Sequence, residues 1–409
     1  MLGSVELRRQ EDFVTVDDAV PFRAFGREFH MIRLGWRLLF GDPAKALGLI
    51  FGIAFATLLI TQQGALFVGL MLRTQGLIED AQEVDLWVMD PAVEYLDASQ
   101  SMRDIELQRV RGVNGVKWAV PMFKTTTPLK TPEGRINNAL LIGFDDASLI
   151  GATQRFLVGS VEDLRRPDAV AIDRYGFVKL WPGEPIAVGK VLELNDRRAE
   201  IVAITDAAAA FALQVILYAR YSQAVSYAPT GRHQMSFILA RAGEGGARTV
   251  AQRVTAETGL KARSSTDFSE MTINYYLKNT GIPVNFGVVI VIGIIVGVAV
   301  VGLTMNMFVN DNMRIFGVLK AIGVTNSQIV GMLLTQCAIA AIIGFGIGIG
   351  LTAAFFTFAA TPTSDLRGFF LPWWIAAGGL FLIVTVVLVA SVASLRRVLW
   401  VDPAIVFRG

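Results

Sequence analysis

The stretch that decides the fold reads PVNFGVVIVIGIIVGVAVVGLTMNMFV at residues 283–309 and continues as NDNMRIFGVLKAIGVTNSQ at residues 310–328. Its first part lacks charged residues and is long enough to cross a lipid bilayer with some tilt. Its second part predicts a short amphipathic helix that stops at Gly323, because apolar residues recur there at helical spacing. Those apolar residues are Ile315, Val318, Leu319 and Ile322. Another apolar run begins at Ile329, so we predict a surface helix held between two spanning helices.

The composition of the chain is typical of a membrane protein. Of its 409 residues, 53% are hydrophobic and 18% are charged, and the mean hydropathy is +0.50. Ordinary soluble domains carry about a quarter charged residues, so we predict an integral membrane protein. The net charge of +2 and the lack of any run dominated by Lys and Arg argue against nucleic-acid binding.

Cysteine and histidine are too scarce to build a metal or thiol site. Cys337 is the single cysteine and lies in an apolar run, so no disulfide framework is predicted. His30 and His233 are far apart in the chain, and we predict a structural role for each and no metal centre. No Ser/His/Asp or Cys/His set can be assembled, so we predict that the chain is not an enzyme.

Hydropathy and charge divide the chain into four spans and the segments that join them. In order, we predict a cytoplasmic N-terminus with an amphipathic interfacial helix (1–43), the first span (44–72), an α+β domain with a helical stalk (73–281), the second span (282–309), the surface helix (310–328), the third span (329–360), a short periplasmic loop (361–370), the fourth span (371–394) and a cytoplasmic tail (395–409). The predicted fold class is therefore a membrane protein with four transmembrane α-helices and a large α+β extracytoplasmic domain between the first and second.

Small residues four apart recur within three of the spans and predict close helix packing. They are Gly48, Gly52, Gly293, Gly297, Gly344 and Gly348. Polar residues in the first span, among them Thr61, predict either a hydrogen bond to a neighbouring helix or the lining of a lateral opening.

Basic residues set the predicted orientation. Arg33, Arg37 and Lys45 flank the first span, Arg314 and Lys320 lie in the surface helix, and Arg396 and Arg397 follow the fourth span. By the positive-inside rule these positions face the cytoplasm, so both termini are predicted to be cytoplasmic and the large domain periplasmic.

The domain between the first two spans shows alternating strand and helix patterns. Strands are predicted at 84–89, 116–123, 235–240 and 260–263, and helices at 102–110 and 247–258, so that one β-α-β unit lies at each end. A hairpin is predicted around Asn195 and Asp196. Residues 265–278 and 72–84 predict a two-helix stalk, with a bend at Gly281 and Pro283.

The chain carries no nucleotide-binding or ion-coupling pattern. The word GEPIAVGKV at 183–191 has the wrong spacing for a P-loop, so ATP hydrolysis is predicted on a separate chain. The spans contain no Asp, Glu, Lys or Arg away from their ends, which argues against a secondary transporter.

The word GVLKAIG at 317–323 resembles the signature of the macrolide-exporter-type ABC permeases, a family that includes the FtsX and lipoprotein-releasing permeases. The layout of one span, a large domain and three spans is similar to theirs, as is the closing word DPAIVFR at 402–408. The words WRLL at 36–39 and DLWVMD at 85–90 look most like the DevC permeases. Ile315 is a departure, since the family commonly has an acidic residue there.

This resemblance implies that the surface helix couples the chain to an ATPase. The implied coupling residues are Asn312, Arg314, Ile315, Gly317, Val318, Leu319, Lys320, Ala321, Gly323 and Ser327. It further implies a homodimer in the bacterial inner membrane, in contact with membrane lipids, with ATP and Mg on a separate ABC ATPase and no cofactor on this chain. Motion would pass along an unbroken helix from Ile282 to Leu319 to a periplasmic membrane-fusion adaptor and an outer-membrane channel, for export of lipid-like or other amphipathic cargo.

Other functions stay open at this stage. A lipoprotein-releasing permease would hand cargo to a carrier, and an FtsX-type permease would transmit force to a periplasmic cell-wall hydrolase without exporting anything. A membrane-anchored periplasmic enzyme or sensor would need a catalytic constellation within 74–281, which the sequence does not display.

Overall fold

A computed structural model of the chain describes residues 40–212, 214–229, 234–361 and 364–399. Residues 1–39, most of the predicted N-terminal segment with its interfacial helix (1–43), lie outside the described residues, as do His233 and the closing word at 402–408. His30 lies within this N-terminal part. In chain order the elements are α1 (Pro43–Asp80), β1 (Leu86–Met89), α2 (Asp104–Arg111), β2 (Val116–Lys130), β3 (Ile136–Phe144), β4 (Phe156–Val158), a 3-10 helix (Val161–Arg165), β5 (Ala169–Asp173), α3 (Arg174–Leu180), β6 (Val191–Leu194), β7 (Arg197–Thr205), β8 (Val215–Arg220), α4 (Tyr221–Tyr227), β9 (Phe237–Ala242), α5 (Ala247–Thr258), β10 (Lys261–Ser264), α6 (Ser265–Asn279), α7 (Ile282–Asp311), α8 (Met313–Ala321), α9 (Asn326–Ala359) and α10 (Trp373–Leu399).

Four of the described helices are long and apolar enough to span a membrane. They are α1, α7, α9 and α10, whose most apolar windows have mean hydropathies of 2.0, 3.0, 2.2 and 2.6. A large α+β domain lies in sequence between α1 and α7. The predicted fold class is confirmed, and the chain is a multi-pass membrane protein.

The α+β domain is built on one ten-stranded sheet. Its strand order is β10-β1-β9-β2-β3-β8-β5-β7-β4, with β6 pairing both β2 and β7. Most neighbours are antiparallel, but β3 and β8 are parallel, as are β5 and β7. The two predicted β-α-β units interleave, because β1 of the first pairs with both strands of the second. Together they form one split β-α-β unit.

Apolar side chains on both faces of the sheet form the core of this domain. Trp87 on β1 is fully buried and its ring packs at 5.5 Å from the rings of Phe237 and Phe268. Its neighbours Leu86 and Val88 point to the opposite face, where they join a cluster with residues of α2 and α5. All four β1 residues are buried, which is what a central strand covered on both faces requires.

The predicted hairpin around Asn195 and Asp196 is confirmed as the turn between β6 and β7. Both turn residues have positive φ, at 48° and 62°, which is the geometry of a type I′ turn. Asn and Asp tolerate that left-handed conformation better than other non-glycine residues.

The predicted unbroken helix from Ile282 to Leu319 is wrong. The helical path is interrupted at Asn312, where φ is −101° and ψ is 10°, between the end of α7 and the start of α8. The side-chain amide of Asn312 donates a hydrogen bond of 2.8 Å to the carbonyl of Phe308. The Asn312 backbone amide also donates to the Phe308 carbonyl at 3.2 Å, and the Phe316 amide donates to the Asn312 carbonyl at 3.0 Å, so the interruption is confined to one residue.

The chain divides into two compact units. One comprises the described residues up to Ala54, Val296–Phe345 and those from Ile383 onward. The other comprises Phe55–Ile295 and Gly346–Leu382, and so contains the whole α+β domain.

Candidate functional site

Helix α8 presents an apolar face that the described part of the chain leaves exposed. Ile315 and Val318 are each 42% exposed, and Ile322, just after the helix, is 72% exposed. Phe316 is fully buried and anchors the opposite side of the helix. Three of the four apolar residues that the helical spacing selects therefore form the exposed face. The buried Phe316 is not one of those four.

A glycine cap ends α8 sharply. Gly323 has φ of 93°, and its amide donates to the carbonyl of Lys320 at 3.0 Å. The next amide, of Val324, donates to the carbonyl of Leu319, also at 3.0 Å. This pair of bonds is a Schellman motif, whose left-handed position glycine occupies without steric cost.

A capping box starts α9 directly after that glycine. The amide of Gln328 donates to the hydroxyl of Thr325 at 3.4 Å, and the Gln328 side-chain oxygen accepts from the Thr325 amide at 3.0 Å. Both bonds satisfy backbone donors that the first helical turn cannot satisfy. The surface helix is thus fixed by defined caps at the α8–α9 connection.

The other predicted coupling residues lie on or beside this helix. Arg314, Ala321 and Ser327 are exposed; Asn312, Leu319 and Lys320 are half-buried; Gly317 is buried. Their role in coupling stays a prediction.

Three of the predicted packing glycines lie against neighbouring helices. A Cβ at Gly344 would be 2.8 Å from the Cβ of Ile53, one at Gly293 would be 3.3 Å from the Cβ of Leu59, and one at Gly52 would overlap Val300. A Cβ at Gly48 would make an ordinary contact, 4.0 Å from Thr304. Gly348 accepts a hydrogen bond of 3.0 Å from the Thr352 hydroxyl, and Gly297 lies within α7.

A cluster of polar side chains that was not predicted from the sequence lies at the connection between α9 and α10. The turn between α9 and α10 (residues 364–372, hereafter the α9–α10 turn) docks on the α+β domain through Arg367. A guanidinium nitrogen of Arg367 donates to Asp173 Oδ2 at 2.6 Å, and Asp173 Oδ1 accepts from the Ile216 amide at 2.8 Å. The side chains of Asp173 and Arg367 are only 1% and 10% exposed, so this is a buried ion pair.

Five further contacts hold the α9–α10 turn. The Tyr175 hydroxyl donates to Asp365 at 2.6 Å, and the Arg367 guanidinium lies 4.5 Å from the centre of the Tyr175 ring. Arg73, from α1, donates to the carbonyls of Asp365 and Arg367 at 2.6 and 2.9 Å. The guanidinium of Arg73 also lies 4.1 Å from the ring of Phe369.

Burial dominates the electrostatics of this cluster. It raises the pKa of the Asp173 carboxyl above its usual value, and the opposing effect of Arg367 is smaller. Burial and the hydrogen bond to Asp365 raise the pKa of Tyr175 to about 12, so its hydroxyl stays protonated and donates. The ion pair therefore does not recover the full desolvation cost of its carboxylate.

A cavity of about 300 Å³ opens in the α+β domain beside α6, lined by Tyr95, Asp97, Lys124, Phe211, Gln214 and Tyr276. Buried Lys124 donates to Asp97 at 2.5 Å and to the Leu96 carbonyl at 3.0 Å. The Tyr276 hydroxyl donates to the other Asp97 oxygen at 3.1 Å, and burial followed by Asp97 raises its pKa. These contacts hold α6 against the sheet.

Among the described residues no group of His, Cys, Asp and Glu could hold a metal ion.

Sequence reasoning missed the docked turn because its partners are 194 positions apart. The only local signals are an Asp that ends a buried strand and an Arg in a short connection between spans. Neither signal shows which residue the charged side chain pairs with, although charged residues on short connections are frequent functional positions.

Comparison with known proteins finds a family match to the C-terminal part of the chain. Residues 287–403 match the family model described as FtsX-like permease C-terminal. No curated protein matched the sequence. The chain is similar to the extracellular domain of the noncanonic ABC-type transporter YknZ from Gram-positive bacteria, at 16% identity over 44% of this chain and 98% of that chain, with a TM-score of 0.33. It is also similar to the periplasmic region of MacB from Actinobacillus actinomycetemcomitans, at 13% identity over 49% of this chain and 94% of that chain, with a TM-score of 0.35.

Proposed function

We propose that this chain is an ABC transporter permease of the MacB/FtsX-like kind and the membrane subunit of an exporter driven by a separate ATPase. The support is the match of residues 287–403 to the family model described as FtsX-like permease C-terminal. The ATPase binds ATP and Mg, and this chain contributes no catalytic group and no cofactor of its own. Similarity to the DevC permeases is not confirmed by the match and stays a prediction.

The exposed face of α8 is the observation that carries this proposal. Ile315, Val318 and Ile322 present apolar side chains at a spacing that places them on one side of a short, capped helix. Exposed apolar side chains grouped on one helix face are typical of a partner-binding surface. With Ile315 where related permeases commonly have an acid, the contact here relies on apolar packing next to Arg314.

We place α8 and both termini in the cytoplasm of a bacterial cell, with the chain in the inner membrane and the α+β domain in the periplasm. The support is the basic residues at the predicted inner ends of the spans, such as Lys45, Arg314 and Lys320. This side of the membrane is the one that offers ATP to a soluble ATPase.

We propose a mechanotransmission cycle in a homodimer. Nucleotide-driven closure of the ATPases displaces α8, and Asn312 acts as a joint between that helix and α7. The motion reaches the periplasmic domain, which works with a membrane-fusion adaptor and an outer-membrane channel. The cargo is lipid-like or otherwise amphipathic and reaches the transporter from the membrane lipids.

The alternative is a permease of the lipoprotein-releasing or FtsX type, which passes force to a periplasmic partner without a duct. The FtsX-like domain supports this alternative equally, and the choice depends on the partner of the α+β domain.

Affinity capture of the full-length chain, with and without nucleotide trapped by vanadate, separates these functions. Recovery of an ABC ATPase with a periplasmic adaptor supports the exporter, and recovery of the ATPase with a cell-wall hydrolase or a lipoprotein carrier supports the alternative. Recovery of no ATPase contradicts both.

A further inference from the structure

The α9–α10 turn is a short connection between two spans that side-chain contacts hold to the α+β domain. Its own backbone is closed by two bonds, from the Arg367 amide to the Ser364 carbonyl and from the Phe369 amide to the Leu366 carbonyl, both at 3.1 Å. Gly368, with φ of 77°, takes a left-handed conformation within the second of these bonded turns. The turn is therefore a defined structure, on which Arg367 is aimed at the domain.

The contact partners of the turn come from two separate parts of the chain. Asp173 ends β5 and Tyr175 lies in the following helix α3, whereas Arg73 belongs to α1. The Arg367 guanidinium touches both Asp173 and Tyr175, so one side chain joins the turn to a strand end and to a helix. Arg73 completes the contact by bonding carbonyl oxygens of the turn itself.

A buried ion pair is a poor way to gain stability. Apolar residues of similar volume at such positions are often as stabilising or more so, because both charges lose their hydration. The pair instead fixes the orientation of the turn on the domain, because a guanidinium and a carboxylate bond only in a defined geometry. An apolar contact of the same size would allow the turn to slide on the domain.

We propose that Arg367 is a positioning residue that joins the α9–α10 turn to the α+β domain, so that the adjoining ends of α9 and α10 move together with that domain. Helices α1 and α6 already connect the α+β domain to the spans, and the joint adds a third connection within the same compact unit. Its role in motion rests on the proposed mechanotransmission, whereas its existence as a docked joint does not.

Hydrogen exchange of the full-length chain in lipid nanodiscs tests the joint directly. We expect Arg367→Met to accelerate exchange of the turn amides of Leu366, Arg367 and Phe369 by about 100-fold, because removal of one partner leaves Asp173 buried and unpaired. The matched control is Arg165→Met, which removes an exposed Arg paired to Glu162, and it should leave exchange in the turn unchanged. Unchanged protection of the turn in Arg367→Met would overturn the proposal.

A milder variant keeps the test usable if Arg367→Met does not fold. Tyr175→Phe removes only the hydroxyl that donates to Asp365, and we expect about tenfold faster exchange in the turn with the sheet unaffected. Equal exchange in Tyr175→Phe and the wild type would likewise contradict docking.

The role in motion is measured with the captured ATPase. We expect Arg367→Met to bind the ATPase as the wild type does, but to lose the ATP-dependent change in hydrogen exchange of the α+β domain. Retention of that change in an undocked variant would overturn the role in motion. If the wild type itself binds no ATPase, the proposed function fails, and the exchange results on the joint stand independently.

Discussion

Gly344 on α9 lies directly against Ile53 on α1. A Cβ built at Gly344 would be 2.8 Å from the Ile53 Cβ and 2.9 Å from the carbonyl oxygen of Ile50, closer than real Cβ atoms approach other atoms. Only a residue without a side chain permits this approach of the two helices, and in a membrane such close packing replaces the hydrophobic drive that lipid removes.

This contact predicts opposite effects for two neighbouring glycines. Gly344→Ala should lower the thermal unfolding midpoint in nanodiscs, because α1 and α9 must separate by several tenths of an ångström. Gly346→Ala, on the same helix with open space around its Cβ position, should leave the midpoint unchanged or raise it, since alanine favours the helix by about 1 kcal/mol. A Gly344→Ala variant as stable as Gly346→Ala would contradict the packing described here.

Burial of Asp173 predicts a pH dependence of stability with a definite sign. Because its pKa is raised above 3.8 in the folded state, the folded chain holds a proton that the unfolded chain has lost as pH rises from 3.8 through the raised value. The folded state binds more protons in that window, so its stability falls with rising pH, by at most about 1.4 kcal/mol per pH unit. Well below pH 3.8, where the carboxyl is protonated in both states, the group contributes no pH dependence.

Comparison with Asp173→Asn isolates this effect. The difference in unfolding free energy between wild type and Asp173→Asn, measured across a pH series, should shrink as pH rises through the window. The other carboxyl groups contribute equally to both proteins, so their contributions cancel in this difference. A difference that grows with pH would show that attraction to Arg367 exceeds the desolvation of the carboxylate.

The Thr61 and Thr352 hydroxyls predict a weak interhelical coupling. They lie 2.8 Å apart, and each also bonds a carbonyl of its own helix, of Thr57 and Gly348. Two hydroxyl protons serve three bonds, so the bond between the helices is made only part of the time. A double-mutant cycle with Thr61→Val and Thr352→Val should give a coupling energy no greater than about 0.6 kcal/mol, the average for such pairs. A coupling above about 1.5 kcal/mol would refute this account.

Local patterns were enough to predict much of the secondary structure. Helix α5 has the predicted bounds, and the turn at Asn195 and Asp196 was predicted from its residue types and the strand patterns on either side. The four apolar helices follow from hydropathy in the same way. Each of these features depends on residues close together in sequence, and that is the information a single sequence expresses directly.

Features that depend on distant residues were missed. The interleaving of β1 with β9 and β10 and the pairing of Asp173 with Arg367 join segments far apart in the chain. The interruption at Asn312 was missed for a different reason, since an apolar run sets the length of a helix but does not show at which residue the helix is interrupted. At α8 the helical spacing of apolar residues was enough to predict an apolar face. The burial of Phe316 could not be predicted in this way, because it depends on how the helix packs against the rest of the chain.

The exposed face of α8 gives the sharpest prediction about function. Val318→Asp and Ile322→Asp each place a charge at the centre of the proposed contact, where burial of an unpaired carboxylate is costly. Each should weaken binding of the ATPase by about tenfold or more, with the fold of the α+β domain unchanged. The control is Ile136→Asp, at a residue 74% exposed in the α+β domain, which should not affect binding.

The most direct test of the central claim is the dissociation constant between the captured ATPase and the full-length chain in nanodiscs, for the wild type, Val318→Asp and Ile136→Asp. The account predicts that Val318→Asp alone weakens binding. Equal dissociation constants for all three would contradict it, because the ATPase would then bind somewhere other than α8.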